Sequence, residues 1–428
     1  MDINNPEELL KYIDENIKID LRAKDERGEV FTPMVLVNEM LDKLPDYVWD
    51  NPDLKWLDPS GGIGNFTIAI YYRLMNALID IIKDPKIRKK HILENMIYMV
   101  EIDKSNCDIL KTIFCGKKYK LNIFEGSFLD YKNDIMFDII VGNPPYQDTD
   151  DSGKRKAKNR NLWSVFIEKS FNNFLKDNGY LLFITPYSFM SLGFKYKDIF
   201  YKNHIIYLNI KECEKHFKVG SSFCYYLIKK TPHKKSRKVK CLYNKKLYES
   251  DIYINDDTYF LPILLSKDSL SIIHKFYNNK LEKISFEKSG ELDTHNKKPL
   301  IGKCNNVFIN PIRHTTKNKD LCSSFKHTLA DKNKILMNKS SKLEPIFDNG
   351  NLGITENQLY YLTNNNKYVN VLNSKLYRFI FLICKWSGFN NGLIFKNIPY
   401  IDNFTTEEEI YSIFKLTKEE IKLIEYKK

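Results

Sequence analysis

The run Asn143-Pro144-Pro145-Tyr146 combines residue types that can bind a planar ring bearing an amino group. It follows an apolar stretch, residues 137–141, and its consecutive prolines hold the backbone extended and rigid. In such a turn the side-chain oxygen of Asn143 and the carbonyl of Pro144 can accept from one amino group, while Tyr146 offers a flat apolar face. An edge-strand proline turn is the alternative, and the combination favours a catalytic site.

A glycine-rich turn, residues 60–64, follows a short predicted strand that runs into Asp58. Glycines after a strand let the backbone approach a bound cofactor closely. No Gly-Lys-Ser/Thr follows, so the turn is not a nucleoside triphosphate loop, and Thr67 stands where a dinucleotide fingerprint ends in Gly or Ala. An ordinary strand-to-helix turn remains the alternative to a cofactor loop.

Glu101 ends the next predicted strand, residues 96–100. A carboxylate in that position can accept hydrogen bonds from both hydroxyl groups of a ribose. Charged residues at strand ends are often only solvated, and the preceding glycine loop is what favours a nucleotide-like ligand.

The elements around these residues alternate between strands and helices over residues 1–230, which predicts a doubly wound, Rossmann-like α/β domain. Further strands are predicted at residues 179–184, 205–210 and 223–228. We predict a first helix over residues 5–19 and a second that opens at Phe31-Thr32-Pro33, with Thr32 as N-cap and Pro33 in the first turn. A long helix is predicted from Asn65 to about Lys83, ended by Asp84-Pro85.

The charge is unevenly distributed along the chain. Residues 1–230 carry 34 basic and 33 acidic side chains, whereas residues 231–428 carry 33 basic and 21 acidic ones. We therefore predict a linker over residues 231–240 and a basic domain over residues 231–428 that is mixed α+β and holds a polyanion. Its last segment, residues 405–425, is predicted to be an amphipathic helix. The alternative explanation of the basic excess is an AT-rich genome, which would also enrich lysine.

Composition excludes several classes of protein. No apolar run approaches the roughly 20 residues of a membrane span, and the acidic start of the chain lacks the apolar core of a secretory signal. The eight cysteines stand singly, are typical of a reducing compartment and form no C-x-x-C pair, so we expect no metal site.

The order of motifs resembles the gamma arrangement of the N6-adenine DNA methyltransferases of restriction–modification systems. The motifs are Phe31-Thr32-Pro33, the residues from Asp58 to Phe66, Glu101-Ile102-Asp103, Gly126-Ser127-Phe128-Leu129 and Asn143-Pro144-Pro145-Tyr146, followed by the basic region. The resemblance is specific over about residues 20–230. It continues more loosely through residues 371–376 and 398–400, which look like pieces of the family's recognition domain.

The resemblance implies an S-adenosylmethionine-dependent enzyme that methylates adenine N6 in double-stranded DNA. It implies cofactor contacts from Phe31, Thr32, Pro33, Asp58, Ser60, Gly61, Gly62, Gly64, Glu101, Ile102, Ser127, Phe128 and Asn143. Thr32, Pro33, Asp58 and the glycine loop would hold the methionine end, Glu101 the ribose hydroxyls, and Ile102 and Phe128 the cofactor's adenine.

This sequence departs from the family at three motif positions. Ser127 replaces an Asp that contacts the cofactor's adenine amino group, a role that Asp130 could also take. Gly61 and Ile63 replace a common Cys and a common Ser or Thr. These changes put cofactor affinity in doubt more than the chemistry.

The family's mechanism assigns the catalytic step to Asn143, Pro144, Pro145 and Tyr146. The first two would accept the two N–H groups of the adenine amine and aim its lone pair at the sulfonium methyl group. The target base must be flipped out of the duplex, with Tyr146 on one face and, by resemblance, Phe217 on the other. A core role for Phe217 is an equal alternative.

A charged loop leaves directly from this turn. We expect it to contact the DNA backbone through Lys154, Arg155, Lys156, Lys158 and Arg160, although a merely solvated loop is an equal alternative. The resemblance also implies a separate cognate restriction endonuclease as a partner, action as a monomer on DNA, and a cytoplasmic location in a bacterium or in the host of a DNA virus.

Two other functions stay open: an RNA amino-methyltransferase, and an inactive methyltransferase-like module that only recognises DNA. A cytosine C5-methyltransferase needs a nucleophilic Cys after a Pro, and no cysteine here follows a proline. A protein-glutamine methyltransferase would not need the basic domain.

Overall fold

The computed structural model describes residues 32–146, 161–191, 193–217, 222–232, 235–254, 258–294, 300–315, 321–340, 342–387 and 390–426. The chain forms two compact units, of which the first contains Met1–Phe189 and Phe194–Asn255 and the second contains Met190–Gly193 and Asp256–Lys428. The first unit therefore ends at residue 255, which differs from the predicted boundary at residue 230. No helix among the described residues is long and apolar enough to cross a bilayer.

The first unit is built on a nine-stranded sheet with the order β3-β2-β1-β4-β5-β7-β6-β8-β9. The strands are β1 Trp56–Asp58, β2 Ile97–Glu101, β3 Asn122–Glu125, β4 Phe137–Gly142, β5 Leu175–Pro186, β6 Asn203–Ile210, β7 Phe223–Pro232, β8 Arg237–Tyr243 and β9 Lys246–Ile252. In the sheet, the neighbouring strands β3, β2, β1, β4 and β5 all run parallel. Strand β7 is antiparallel to both β5 and β6. The doubly wound α/β prediction is confirmed.

The described α-helices of the first unit precede or connect these strands. They are α1 Met34–Leu41, α2 Asn65–Ala77, α3 Pro85–His91, α4 Lys104–Ile113, α5 Leu162–Lys169 and α6 Lys197–Tyr201. The first predicted helix, over residues 5–19, lies outside the described residues. One apolar core includes residues from α1, α2 and α4 and from the central strands, among them Leu36, Leu74, Leu110 and Ile139.

Two helix predictions were wrong in their ends. The second helix begins at Met34 with Pro33 as its N-cap, so Thr32 is not the cap. The long helix ends at Ala77, and Asp84 caps α3 instead, because its side chain accepts from the backbone N–H groups of Lys86 and Ile87. Asp-Pro is a helix-start signal when the Pro stands in the first turn.

The two ends of the predicted linker over residues 231–240 are instead part of the sheet. Pro232 ends β7 and Arg237 begins β8, whose buried residues Val239, Cys241 and Tyr243 alternate with more exposed ones. That period-two alternation is a strand signal within a basic segment.

The second unit holds small sheets and short helices, as the mixed α+β prediction required. Its strands are β10 Lys283–Ile284, β11 Glu287–Lys288, β12 Ile301–Lys303, β13 Asn310–Arg313, β14 Leu321–Ser323, β15 Asn333–Asn338, β16 Ile346–Asn349, β17 Gly353–Ile354, β18 Gln358–Leu362 and β19 Ile398–Pro399. Its helices are α7 Lys267–Tyr277, α8 Tyr368–Asn373, α9 Lys375–Ile383, α10 Asn391–Ile394, α11 Glu407–Ile413 and α12 Lys418–Tyr426.

Three further features of this unit bear on the predictions. The single helix expected over residues 405–425 is divided into α11 and α12. Cys304 and Cys322 form a disulfide, because the β12–β14 pairing brings them together, so the expectation of single, reduced cysteines is wrong for this pair. The second loosely family-like segment, residues 398–400, contacts the residue that follows the first: the Tyr377 hydroxyl donates to the Pro399 carbonyl over 2.6 Å.

Candidate active site

The chemistry-bearing residues gather at one edge of the sheet. Asp58, Glu101 and Gly142 are the last residues of β1, β2 and β4, and β1 pairs in parallel with both of its neighbours. The chain passes to opposite sides of β1 at this point, which is where open α/β sheets bind ligands. The sheet order therefore brings together three motifs that are distant in sequence.

The glycine-rich turn between β1 and α2 is tightly folded. The N–H of Gly61 donates to the carbonyl of Val100 in β2 over 2.9 Å, and that of Gly64 donates to the Gly61 carbonyl over 2.9 Å. Gly64 has φ +95°, a left-handed conformation, and a Cβ there would lie 2.7 Å from a Leu110 methyl group. A side chain at residue 64 would thus meet both strain and a clash.

Asp58 is a buried carboxylate at the start of this turn. Its side chain is 3% exposed, and Oδ1 accepts from the Ser60 N–H over 3.1 Å, whereas Oδ2 has no hydrogen-bond partner among the described residues. Burial, with the nearby Glu101 carboxyl, raises the pKa of Asp58 to about 7. A buried carboxylate oxygen without a donor is favourable only if a ligand supplies one, and the methionine end of S-adenosylmethionine, which carries an ammonium group, fits this requirement.

Glu101 links β2 to the glycine turn. One carboxylate oxygen accepts from the Gly62 N–H over 2.6 Å and the other from the Asp103 N–H over 2.7 Å. Burial raises the pKa of Glu101, and these two hydrogen bonds oppose that effect. A carboxylate has about four lone-pair sites on its two oxygens, so Glu101 can accept from a ligand hydroxyl as well. Ile102, the next residue, is 71% exposed and offers an apolar face.

Asn143 lies directly after β4 and contacts two other motifs. Its Nδ2 donates to Thr32 Oγ1 over 3.1 Å, and its main-chain carbonyl accepts from Ser60 Oγ over 3.2 Å. Asn143 Oδ1 accepts from the Tyr146 hydroxyl over 2.7 Å. An amide oxygen has two lone pairs, so it can accept from a substrate amine as well.

Tyr146 packs on an aromatic residue that the sequence reasoning missed. Its ring stacks on Phe223 with centroids 4.8 Å apart, and Phe217 meets the same Phe223 edge-on at 5.6 Å. Phe217 is 8% exposed and belongs to the apolar core. Tyr146 and Phe217, the two residues predicted to hold a base, therefore both contact the ring of Phe223. The sequence feature that could have indicated Phe223 is its position at the start of the predicted strand over residues 223–228.

The structure places the Gly126-Ser127-Phe128-Leu129 residues after β3. Ser127 Oγ accepts from the Leu129 N–H over 3.1 Å and so closes the turn. Phe128 is only 2% exposed and lies among Tyr131, Phe166 and Phe174. Its expected packing on a cofactor ring stays a prediction. Phe31 and the loop with Lys154, Arg155, Lys156, Lys158 and Arg160 lie outside the described residues.

Comparison with known proteins identifies related methyltransferases. Residues 89–217 match the family described as Eco57I restriction-modification methylase. An uncharacterized adenine-specific methylase from Mycoplasma pneumoniae is 24% identical over 373 residues, covering 67% of this chain and 85% of the relative. The modification methylase CviBIII of Paramecium bursaria Chlorella virus NC1A is 31% identical over 221 residues, which cover 49% of this chain and 51% of the relative.

Solved structures share the fold over most of the chain. The type IIL restriction-modification enzyme MmeI, solved in complex with DNA, has a TM-score of 0.54 at 11% identity. The match covers 82% of this chain and 65% of the MmeI chain. The DrdV–DNA complex has a TM-score of 0.50 at 13% identity, and the match covers 81% of this chain and 50% of the DrdV chain. At these identities the likeness shows the fold alone.

Proposed function

We propose that the chain is an adenine-specific DNA methyltransferase, because residues 89–217 match the family described as Eco57I restriction-modification methylase. It transfers the methyl group of S-adenosylmethionine to N6 of an adenine flipped out of duplex DNA. The observation that carries this proposal is the position of Asn143. Its amide reaches Thr32 and its carbonyl reaches Ser60, so the amine-binding turn borders the proposed cofactor turn.

The cofactor would supply an electrophilic methyl group on its positively charged sulfur. Asp58 and the glycine turn would hold its methionine end, Glu101 would accept from its ribose hydroxyls, and Ile102 would cover its adenine. The buried Oδ2 of Asp58, which has no hydrogen-bond partner among the described residues, and the exposed face of Ile102 support this assignment.

The substrate amine is a poor nucleophile because its lone pair is delocalised into the ring. Asn143 Oδ1 and the Pro144 carbonyl accept its two N–H groups, which draws the nitrogen toward tetrahedral geometry and aims the lone pair in line with the methyl group. As the nitrogen–methyl bond forms, the sulfur–methyl bond breaks and the neutral thioether of the cofactor leaves, and the methylated amine gives its extra proton to water. Positioning and electrostatics supply the catalysis, so no general base with a shifted pKa is required.

Duplex DNA is the proposed partner of the basic region. Residues 297–319 contain six lysines and arginines and no acidic residue, and the whole of residues 231–428 has a net charge of +12. Lysine and arginine side chains neutralise DNA phosphates. The names of the similar proteins, which are adenine-specific and modification methylases, favour DNA over RNA as the substrate.

The test is transfer of labelled methyl from S-adenosylmethionine to duplex DNA, duplex RNA and bulk protein. We expect N6-methyladenine in DNA, and a fall of about 100-fold or more in Asn143→Ala. Asn172→Ala changes an exposed asparagine just after α5 whose Nδ2 donates to Glu168 Oε1 over 3.3 Å, and this matched control should retain activity.

Label in RNA would instead make the chain an RNA amino-methyltransferase. Duplex binding with no methyl transfer to any acceptor would make it an inactive recognition module. The proposal also includes a cognate endonuclease, a monomeric state on DNA and a cytoplasmic location. Mass photometry of the chain on DNA tests the monomeric state.

A further inference from the structure

We propose that Thr32 and Ser60 are positioning residues that hold Asn143 in its reactive geometry. The inference rests on the proposed function and deepens it, because it gives these two hydroxyl groups a role in the methyl-transfer step that is separate from cofactor affinity. Thr32 acts on the side chain of Asn143, and Ser60 acts on its main chain.

Thr32 is well placed to hold the carboxamide. Asn143 Nδ2 donates to Thr32 Oγ1 over 3.1 Å, and Thr32 is itself 5% exposed. The main-chain carbonyl of Thr32 accepts from Asn65 Nδ2 over 2.8 Å, in a buried hydrogen bond. Asn65 begins α2, so the acceptor that holds Asn143 is anchored to a helix of the core.

Ser60 acts on the neighbouring peptide bond. Its Oγ donates to the main-chain carbonyl of Asn143 over 3.2 Å. That peptide joins Asn143 to Pro144, which has no N–H, so a hydrogen bond can hold it only through the carbonyl. Proline also fixes φ, and the orientation of this peptide therefore determines where the Pro144 carbonyl, the second acceptor of the substrate amine, points.

The two contacts together restrain both acceptors of the amine. In-line displacement depends on reacting atoms about 3–3.5 Å apart with aligned orbitals, and a displacement of 1 Å can cost about 100-fold in rate. Removing either hydroxyl should therefore lower the rate of methyl transfer more than it lowers binding of cofactor or DNA.

The experiment compares four single variants of the full chain and the double variant that combines Thr32→Val with Ser60→Ala. Thr32→Val keeps the shape but loses the acceptor, Thr32→Ser keeps the hydroxyl, and Ser60→Ala loses the donor. Thr112→Val, which removes a hydroxyl that bonds the Asp108 carbonyl on the exposed face of α4, is the matched control. The measurements are kcat, KM for S-adenosylmethionine, the Kd of cofactor and of duplex DNA, and thermal unfolding.

We expect Thr32→Val and Ser60→Ala to lower kcat by about 10- to 100-fold with both Kd values within about threefold of the unaltered chain. Thr32→Ser should recover most of kcat. The double variant should lose less than the product of the single losses, because both residues act through Asn143.

The inference is overturned if Thr32→Val has normal kcat, if Thr32→Ser is as impaired as Thr32→Val, or if the loss appears wholly as weaker cofactor binding. Those outcomes leave the proposed function intact, because the unaltered chain still methylates DNA. An unaltered chain that methylates no DNA overturns the proposed function itself, and this inference with it.

Discussion

At the scale of single residues, the site depends on how burial changes ordinary side chains. Asp58 and Glu101 are both carboxylates at strand ends, yet Glu101 has two backbone N–H donors, whereas Asp58 has one donor and one buried oxygen without a partner among the described residues. Only Asp58 is therefore left in need of a cationic or N–H donor ligand. The Glu101 carboxylate thus has a donor on each oxygen, whereas the Asp58 carboxylate still requires a donor from a ligand.

The raised pKa of Asp58 predicts how stability of the ligand-free protein depends on pH. Because its folded pKa is about 7 and its ordinary value is 3.8, the folded state binds this proton more tightly than the unfolded chain. The resulting stabilisation is fully present below pH 3.8 and is lost as pH rises through 7. Asp58→Asn should remove this component of the pH dependence, so its melting temperature should exceed that of the unaltered chain more at pH 8 than at pH 5.

Thermal unfolding of both proteins from pH 5 to pH 8 measures that difference. Asp42→Asn, a variant of an exposed carboxylate, serves as the control. Equal differences at pH 5 and pH 8 between Asp58→Asn and the unaltered chain would show that the buried carboxyl is ionised throughout.

At the scale of elements, the close approach of β4 to the β1 turn shapes the site. A Cβ at Gly142 would lie 3.0 Å from Asp58 Oδ1 and 3.5 Å from Ser60 Oγ. Glycine at the end of β4 thus lets the amine-binding turn lie against the proposed cofactor turn. Neither strand alone indicates this contact, since it depends on β1 and β4 being neighbours.

Gly142→Ala should therefore push the Asp58 carboxylate out of place. We expect a loss of about 1–3 kcal/mol in the free energy of unfolding, as for other overpacking changes, and a fall of about tenfold or more in affinity for S-adenosylmethionine. Denaturant unfolding and calorimetry measure the two effects. Gly290→Ala, where a Cβ meets nothing within 4 Å, is the control and should change neither. A normal affinity in Gly142→Ala would mean that the two turns can separate without loss.

At the scale of the whole molecule, charge is distributed between a near-neutral part and a basic part of the chain. The near-neutral part contains the proposed chemistry, and the basic part contains the proposed contacts to phosphate. Net charge determines affinity for a polyanion and its dependence on salt, but it does not determine which bases are read.

The basic stretch over residues 297–319 predicts a steep dependence of DNA binding on salt. Replacing Lys297, Lys298, Lys317 and Lys319 with Gln should lower the slope of log K against log salt by up to about four, if each lysine neutralises one phosphate. Lys202→Gln is the control, because Lys202 pairs with Asp198 over 2.7 Å. Fluorescence anisotropy with labelled duplex from about 50 to 200 mM salt measures the slopes. An unchanged slope in the fourfold variant would place the phosphate contacts elsewhere.

The sequence by itself determined the types of residue and the order of strands and turns. Asp58, Glu101 and Asn143 were recognisable because each ends an apolar strand, and strand ends depend on local patterns of apolar residues and on Gly and Pro. The exact helix ends and the β8–β9 extension were misjudged, although Asp84-Pro85 and the alternation of Val239, Cys241 and Tyr243 are local signals too.

Only the tertiary structure decided which of these residues meet. The contacts of Asn143 with Thr32 and Ser60 join positions 111 and 83 residues apart, and they exist because β1 lies between β2 and β4. The burial of Phe128 and Phe217, the stacking of Tyr146 on Phe223 and the unpartnered oxygen of Asp58 likewise arise from packing between elements. Local sequence determines what each side chain can do, whereas its partners are set by the order of strands in the sheet.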